Sequence, residues 1–175
     1  MGPFQYWFEQ TVSQVTPVRL FMQTSWGWPA TESAHFIGLT LLFGSIAVWD
    51  LRLLGLGRGV PISAFHRLVP FAVAGFAINV VTGSMFVMAE ANQYVYNRAF
   101  QFKLLFLALA GLNVLTFYVT MFRRVATSGA GAAPPLLARL NGALSLAFWM
   151  AVMSSPGLIV IGVPLISSVP PATDT

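Results

Sequence analysis

At 175 residues the chain has room for one compact unit, and its make-up of 57% hydrophobic against 8% charged residues, with a mean hydropathy of +0.75, lies far from the roughly one-quarter charged content of soluble domains. A net charge of +4 and an isoelectric point near 10.1 do not point to nucleic acid, because the nine basic residues are scattered at the ends of apolar segments, where membrane topology accounts for them. The absence of cysteine excludes disulfides, iron–sulfur clusters, thiol chemistry and covalent c-type haem attachment on this chain.

Residues 4–28 mix Phe4, Tyr6, Trp7, Phe8, Trp26 and Trp28 with Gln, Ser, Thr, Glu9 and Arg19. That is too polar to span a bilayer and lacks the positive n-region and cleavage site of a signal peptide. It predicts an aromatic-rich amphipathic helix lying in the membrane interface, broken near Pro17.

The first span is expected over about 31–54, with Thr31 as N-cap and Gly55, Gly57, Gly59 and Pro61 as the stop. From Glu32 to Asp50 a helix rises roughly 27 Å, close to the hydrocarbon thickness of a bilayer. The second span, about 65–89, opens on His66-Arg67 and closes on Glu90. Its Gly75, Asn79 and Gly83 recur every fourth residue, a spacing that lets a neighbouring helix approach closely, with Asn79 placed to bond across the contact. Pro70 is expected to bend this span slightly.

The third span, about 99–122, carries Lys103, Phe106, Ala110, Asn113, Phe117 and Met121 on one face. Lys103 is the only lysine in the protein. The Gly-, Ala-, Ser- and Pro-rich stretch 127–135 reads as a loop. The fourth span, about 136–155, is followed by Pro156-Gly157 and an apolar extension over 157–166, so the helix is either long and bent or succeeded by a short re-entrant piece. The expected fold is all-α: a polytopic four-transmembrane-helix bundle, one membrane domain, with an N-terminal interfacial helix.

Arg52, Arg58, Arg67, Arg123, Arg124 and Arg139 lie on one side of this arrangement, Arg19, Arg98 and Lys103 on the other. That excess predicts a bacterial inner-membrane protein with both termini periplasmic. His35 and Lys103 then share a depth near the outer surface, with Glu32 one turn from the histidine and Glu90 at the same level. Ionisable groups at membrane depth are costly and tend to mark functional sites, although Glu32, Glu90 and Lys103 can also simply snorkel to the headgroups. At the inner edge, Asp50 and Arg52 are two residues apart and point to different sides, so Asp50 is expected to meet His66, Arg67 or Arg139. A b-type haem with His35 on the iron is one reading. His66 lies at the wrong depth to be the second ligand, leaving Met85 or Met88, a five-coordinate iron, or a ligand from another chain. Lone methionines are more often core filler.

The run Glu32-Ser-Ala-His35, Gly44 and Asp50-Leu-Arg52-Leu-Leu-Gly55 resembles an uncharacterised family of bacterial four-helix membrane proteins. The likeness extends through Pro70, Gly75, Gly83, Asn97-Arg98, Phe100, Lys103, Gly111, Asn113 and Leu144 to Trp149, and fails where Ser154-Ser155-Pro156-Gly157 replaces an expected Gly-Arg. More distantly, a histidine in the first span with a lysine in a later one is similar to haem-associated membrane protoporphyrinogen oxidases and four-helix b-type cytochromes. That resemblance implies His35 as the haem ligand and Lys103 as a carboxylate contact. The leading expectation is therefore a subunit of a redox or electron-transfer system holding haem near the outer face, with Lys103 and Arg98 on the propionates. The alternatives are an accessory subunit of a larger membrane complex or a homo-oligomer using the Gly75/Asn79/Gly83 face, and a proton or small-solute carrier using Glu32, His35, Glu90 and Lys103. Whether the protein is an enzyme is left open by the sequence.

Overall fold

The computed structural model describes residues 6–7, 11, 16–95, 97–126, 131 and 133–166. Much of the aromatic N-terminal segment, most of the 127–135 loop and the tail 169–175 lie outside the described residues. The described chain is all-α. Its short helices are α1 (Thr16–Met22), α3 (Ile62–Phe65), α5 (Ala91–Val95) and α7 (Phe122–Ala126); its long ones are α2 (Gly27–Leu54), α4 (Val69–Ala89), α6 (Arg98–Thr120) and α8 (Leu136–Ile166). Four helical runs are long and apolar enough to cross a membrane, and the protein is a multi-pass membrane four-helix bundle. Large apolar side chains such as Phe71, Val81, Leu115 and Val119 face outward, as they do where lipid is the solvent and helices are the available way to satisfy the backbone.

The helix limits correct one expectation, through proline. The first span begins at Gly27, not at Thr31, whose hydroxyl is buried and donates to Gly27 O at 2.8 Å. Pro29 falls in the first turn, where its missing N–H has no intrahelical partner to lose. Pro17 sits in the first turn of α1, which begins at Thr16, and residues 12–15 before it lie outside the described residues. Pro70 stands at the start of α4, directly after a 3₁₀ turn over His66–Leu68, so the helical run that begins at Ile62 tightens just before the proline. At the fourth span, the helical backbone continues through Pro156 to Ile166, which selects the long helix over a separate re-entrant piece. The stop after α2 is as expected: Gly55 adopts the left-handed conformation, φ 105°, and its cap amides return to Arg52 O and Leu51 O.

α2 packs on α4, α6 on α8, and α2 on α8, while α4 and α6 make no extensive contact. Each packed pair has its own device. A Cβ at Gly75 would come within 2.6 Å of Gly38 O and Leu42 N, and one at Gly38 within 3.0 Å of Gly75 O, so α2 and α4 cross backbone to backbone. The small-residue stripe is thus filled by the chain's own first span, which corrects the expectation that this face is offered to another subunit. Asn79 bonds Gly75 O of its own helix at 2.9 Å instead of reaching across. Between α6 and α8, Asn141 Nδ2 donates to Asn113 Oδ1 at 2.7 Å while Asn113 Nδ2 donates to Asn141 O at 3.2 Å. Gly142 lets α8 approach Leu53 and Asp50 O of α2. Two apolar clusters complete the interior, Leu42, Ala110, Trp149 and Val152 within the bundle and Leu53, Ile62, Phe117, Val125 and Ala138 at the Asp50 end.

Candidate functional site

At the His35 end, His35 is half-buried and its Nδ1 lies 2.7 Å from Thr82 Oγ1. The Thr82 hydroxyl has one proton, and that proton goes to Ile78 O at 2.7 Å. With the threonine proton on Ile78 O, the tautomer that fits is Nδ1–H donating to the threonine oxygen, which leaves the Nε2 lone pair of the neutral ring free. Phe86, one turn beyond Thr82, packs edge-on against the imidazole at 5.6 Å and in turn contacts Trp28 at 5.1 Å. Gly83 leaves room beside the ring, since a Cβ there would stand 3.8 Å from His35 Cε1. Lys103, half-buried on α6, lies within electrostatic range of His35.

The carboxylates of this end behave differently. Glu32 and Glu90 are exposed, and the group they converge on is Tyr94 of α5. Burial pushes the Tyr94 phenol above its ordinary value, with the Glu90 and then the Glu32 carboxylates adding to the effect. Tyr94 also pairs with Phe100 at 5.4 Å. Arg98 is exposed in the first turn of α6, where Asn97 caps Ala99 N at 2.8 Å. Met85 and Met88 are half-buried on α4, three and six residues beyond Thr82. Among the described residues no three or more His, Asp or Glu side chains cluster as a metal-binding group.

The Asp50 end is built on burial. Asp50 is 3% exposed and Arg52 1%. The sequence expectation for Asp50 is corrected: among the described residues its carboxyl forms no ion pair with His66, Arg67 or Arg139, the group acting on it is the Ser145 side chain of α8, and its Oδ2 has no partner. The reason is the close approach allowed by Gly142, which brings α8 onto α2 at this level. Arg52 donates through Nε to Val60 O at 3.0 Å, while Nη1 and Nη2 have no partner. His66 and Arg67 are exposed. His66 sits among rings, 5.1 Å from Phe122, 6.2 Å from Trp49 and 6.3 Å from Tyr118.

Beside Asp50 lies a cavity of about 340 Å³ bounded by all four spans, its lining including Ser45, Trp49, Asn113, Phe117, Asn141, Ser145 and Trp149. Ser145 and Trp149 enter from the sequence only within the Leu144 to Trp149 resemblance, and Asn141 is not singled out there, although the four-residue spacing of the three on an apolar helix carries the signal. Comparison with known protein families, curated proteins and solved structures gives no match, so the chemistry of both ends rests on their own residues.

Proposed function

We propose that this membrane protein is a subunit of a redox or electron-transfer system that holds a b-type haem at its His35 end. The observation that carries the reading is the 2.7 Å contact between His35 Nδ1 and Thr82 Oγ1. The Nδ1–H is then spent on Thr82, whose own proton is spent on Ile78 O, and an imidazole oriented by a hydrogen bond on one nitrogen presents the other as a ligand. Nε2 of His35 would hold the iron, and Lys103 and Arg98 would meet the propionates. Met85 and Met88 on α4 are the second-ligand candidates within the chain. Bound there, haem supplies one-electron chemistry. The chain's part is to fix the imidazole, to place a cation in a low-dielectric setting where it acts strongly on an anionic group, and to exclude water with Phe86 and Trp28. The arginine distribution supports an orientation with this end on the outer face of a bacterial inner membrane, where the complex would include further membrane subunits.

The test is a haem titration of the purified protein followed in the Soret region, with dithionite-reduced spectra at saturation. Wild type should take up one equivalent. Thr82→Val should retain the pigment with roughly tenfold to hundredfold weaker affinity, the usual cost of losing the group that orients a ligating histidine. Lys103→Met should keep the pigment and shift its potential. Absence of any uptake by wild type would end this reading.

A further inference from the structure

The cavity beside Asp50 belongs to the opposite end of the bundle from His35, and the proposed redox site makes no use of it. Its position is set by what does not pack. α2 joins α4 on one side and α8 on the other, α8 joins α6, and α4 and α6 are left without extensive contact. The cavity opens in that gap, lined from α4 by Val69, Ala72 and Phe76 and from α6 by Gly111, Val114 and Tyr118. A gap between two lipid-facing helices admits molecules dissolved in the bilayer. About 340 Å³ falls within the size range of small-molecule sites.

Two residues of the cavity lining each carry a buried, unpartnered polar atom: Asp50 Oδ2 and Trp149 Nε1, on residues 3% and 5% exposed. Buried polar groups without partners cost about 1–3 kcal/mol each, which makes two in one lining a feature needing a cause. Both residues border the same cavity, and Ser145, which acts on the Asp50 carboxyl, is one turn from Trp149 on the same face of α8. Their chemistry restricts the occupant. The indole N–H can only donate, so the ligand must present an acceptor; the Asp50 oxygen is an acceptor when ionised, so the ligand must also present a donor. An aliphatic hydrocarbon tail meets neither, and a lipophilic ammonium leaves the indole unmet. A ring hydroxyl meets both, and the aromatic walls of Trp49, Phe76 and Phe117 suit a flat ring.

We infer that the cavity between α4 and α6 binds the hydroxylated aromatic ring of a lipid-soluble molecule of the quinol type, with the ring oxygens accepting from Trp149 Nε1–H and donating to Asp50.

The experiment is equilibrium binding of a decyl-tailed benzoquinol, held reduced under anaerobic conditions, to the full chain in nanodiscs of neutral lipid; it needs no haem, so its outcome is separate from that of the redox reading. Saturable binding is expected, with decylbenzene a poor competitor because it lacks both oxygens. Trp149→Phe, which keeps the ring and removes the donor, and Asp50→Leu, which keeps the volume and removes the acceptor, should each weaken binding about tenfold. Gly111→Phe, entering where a Cβ meets nothing within 4 Å, should abolish it from the α6 side. Helix content measured for each variant identifies any that fails to fold, and Trp149→Phe and Gly111→Phe then decide the matter without Asp50→Leu. Equal binding of benzoquinol and decylbenzene, wild-type affinity in folded Trp149→Phe and Gly111→Phe, or displacement by decyltrimethylammonium in preference to the quinol would overturn the assignment.

Discussion

The two ends of the bundle carry similar numbers of ionisable groups and treat them in opposite ways. At the His35 end Glu32, Glu90 and Arg98 reach the surface, and His35 is tethered by a single hydrogen bond. At the Asp50 end both Asp50 and Arg52 are buried, with atoms left unmet. The difference comes from what covers them: Ile62 of α3 and Val125 of α7 join the core that seals the Asp50 end, whereas α1 and α5 leave the glutamates of the other end open. Depth in the membrane therefore does not decide whether a charge is solvated; the short elements over the helix ends do. One end leaves most of its ionisable side chains open to the surface, the other strands polar atoms beside a cavity.

The largest effect that would sharpen this contrast is at the crossing holding both ends in register. Gly75→Leu forces a side chain into the Gly38 backbone and should abolish the folded, monodisperse protein on size exclusion. Even Gly75→Ala should cost about 1–3 kcal/mol as overpacking. Gly83→Ala, with a contact at 3.8 Å, should be tolerated. Gly57 lies in the loop with open space but at φ 65°, so Gly57→Ala should cost about 1 kcal/mol through the backbone alone.

The next effect concerns the amide clamp. Asn141→Leu leaves the Asn113 amide without its partner in the bundle and should lower stability by roughly 1–3 kcal/mol in denaturant or thermal unfolding. The double variant with Asn113→Leu should recover part of that loss, because both partners are then apolar. Strict additivity of the two would show that the pair is not coupled.

At the His35 end, Thr82→Val should reduce thermal stability by about 1 kcal/mol through loss of one hydrogen bond. The smallest effect is at Tyr94, whose folded pKa is raised. Its contribution to stability is fully present below the unfolded value of about 10 and is lost as pH rises through the higher folded value. Between pH 9 and 12 the melting temperature of wild type should fall more steeply than that of Tyr94→Phe. Parallel curves would remove the burial and the Glu90 and Glu32 carboxylates as the cause.

Much of the fold was legible because apolar length and punctuation suffice for helices in lipid: the four spans, the Gly55 stop, and the α6 face on which Ala110 and Phe117 are buried all follow from sequence. What the sequence concealed were partners. The Gly75 stripe was visible, but Gly38 is a single glycine with no repeat to mark it, so the identity of the facing helix was not. Asp50 was read against cations because charge complementarity is the signal a sequence carries, whereas the group acting on it is a neutral serine brought close by Gly142. A shared level for His35 and Lys103 is what depth alone implies; Thr82, which orients the histidine, needed the α2–α4 crossing to be known. The cavity arises from the missing α4–α6 contact, and a contact not made leaves no mark on either helix.

The contrast between the ends is tested most directly by optical spectra of haem-loaded wild type, His35→Ala and His66→Ala, oxidised and dithionite-reduced. A Soret band is expected in wild type and in His66→Ala and none in His35→Ala. A band that survives His35→Ala but is bleached by His66→Ala would place the redox site at the Asp50 end and contradict its placement at His35.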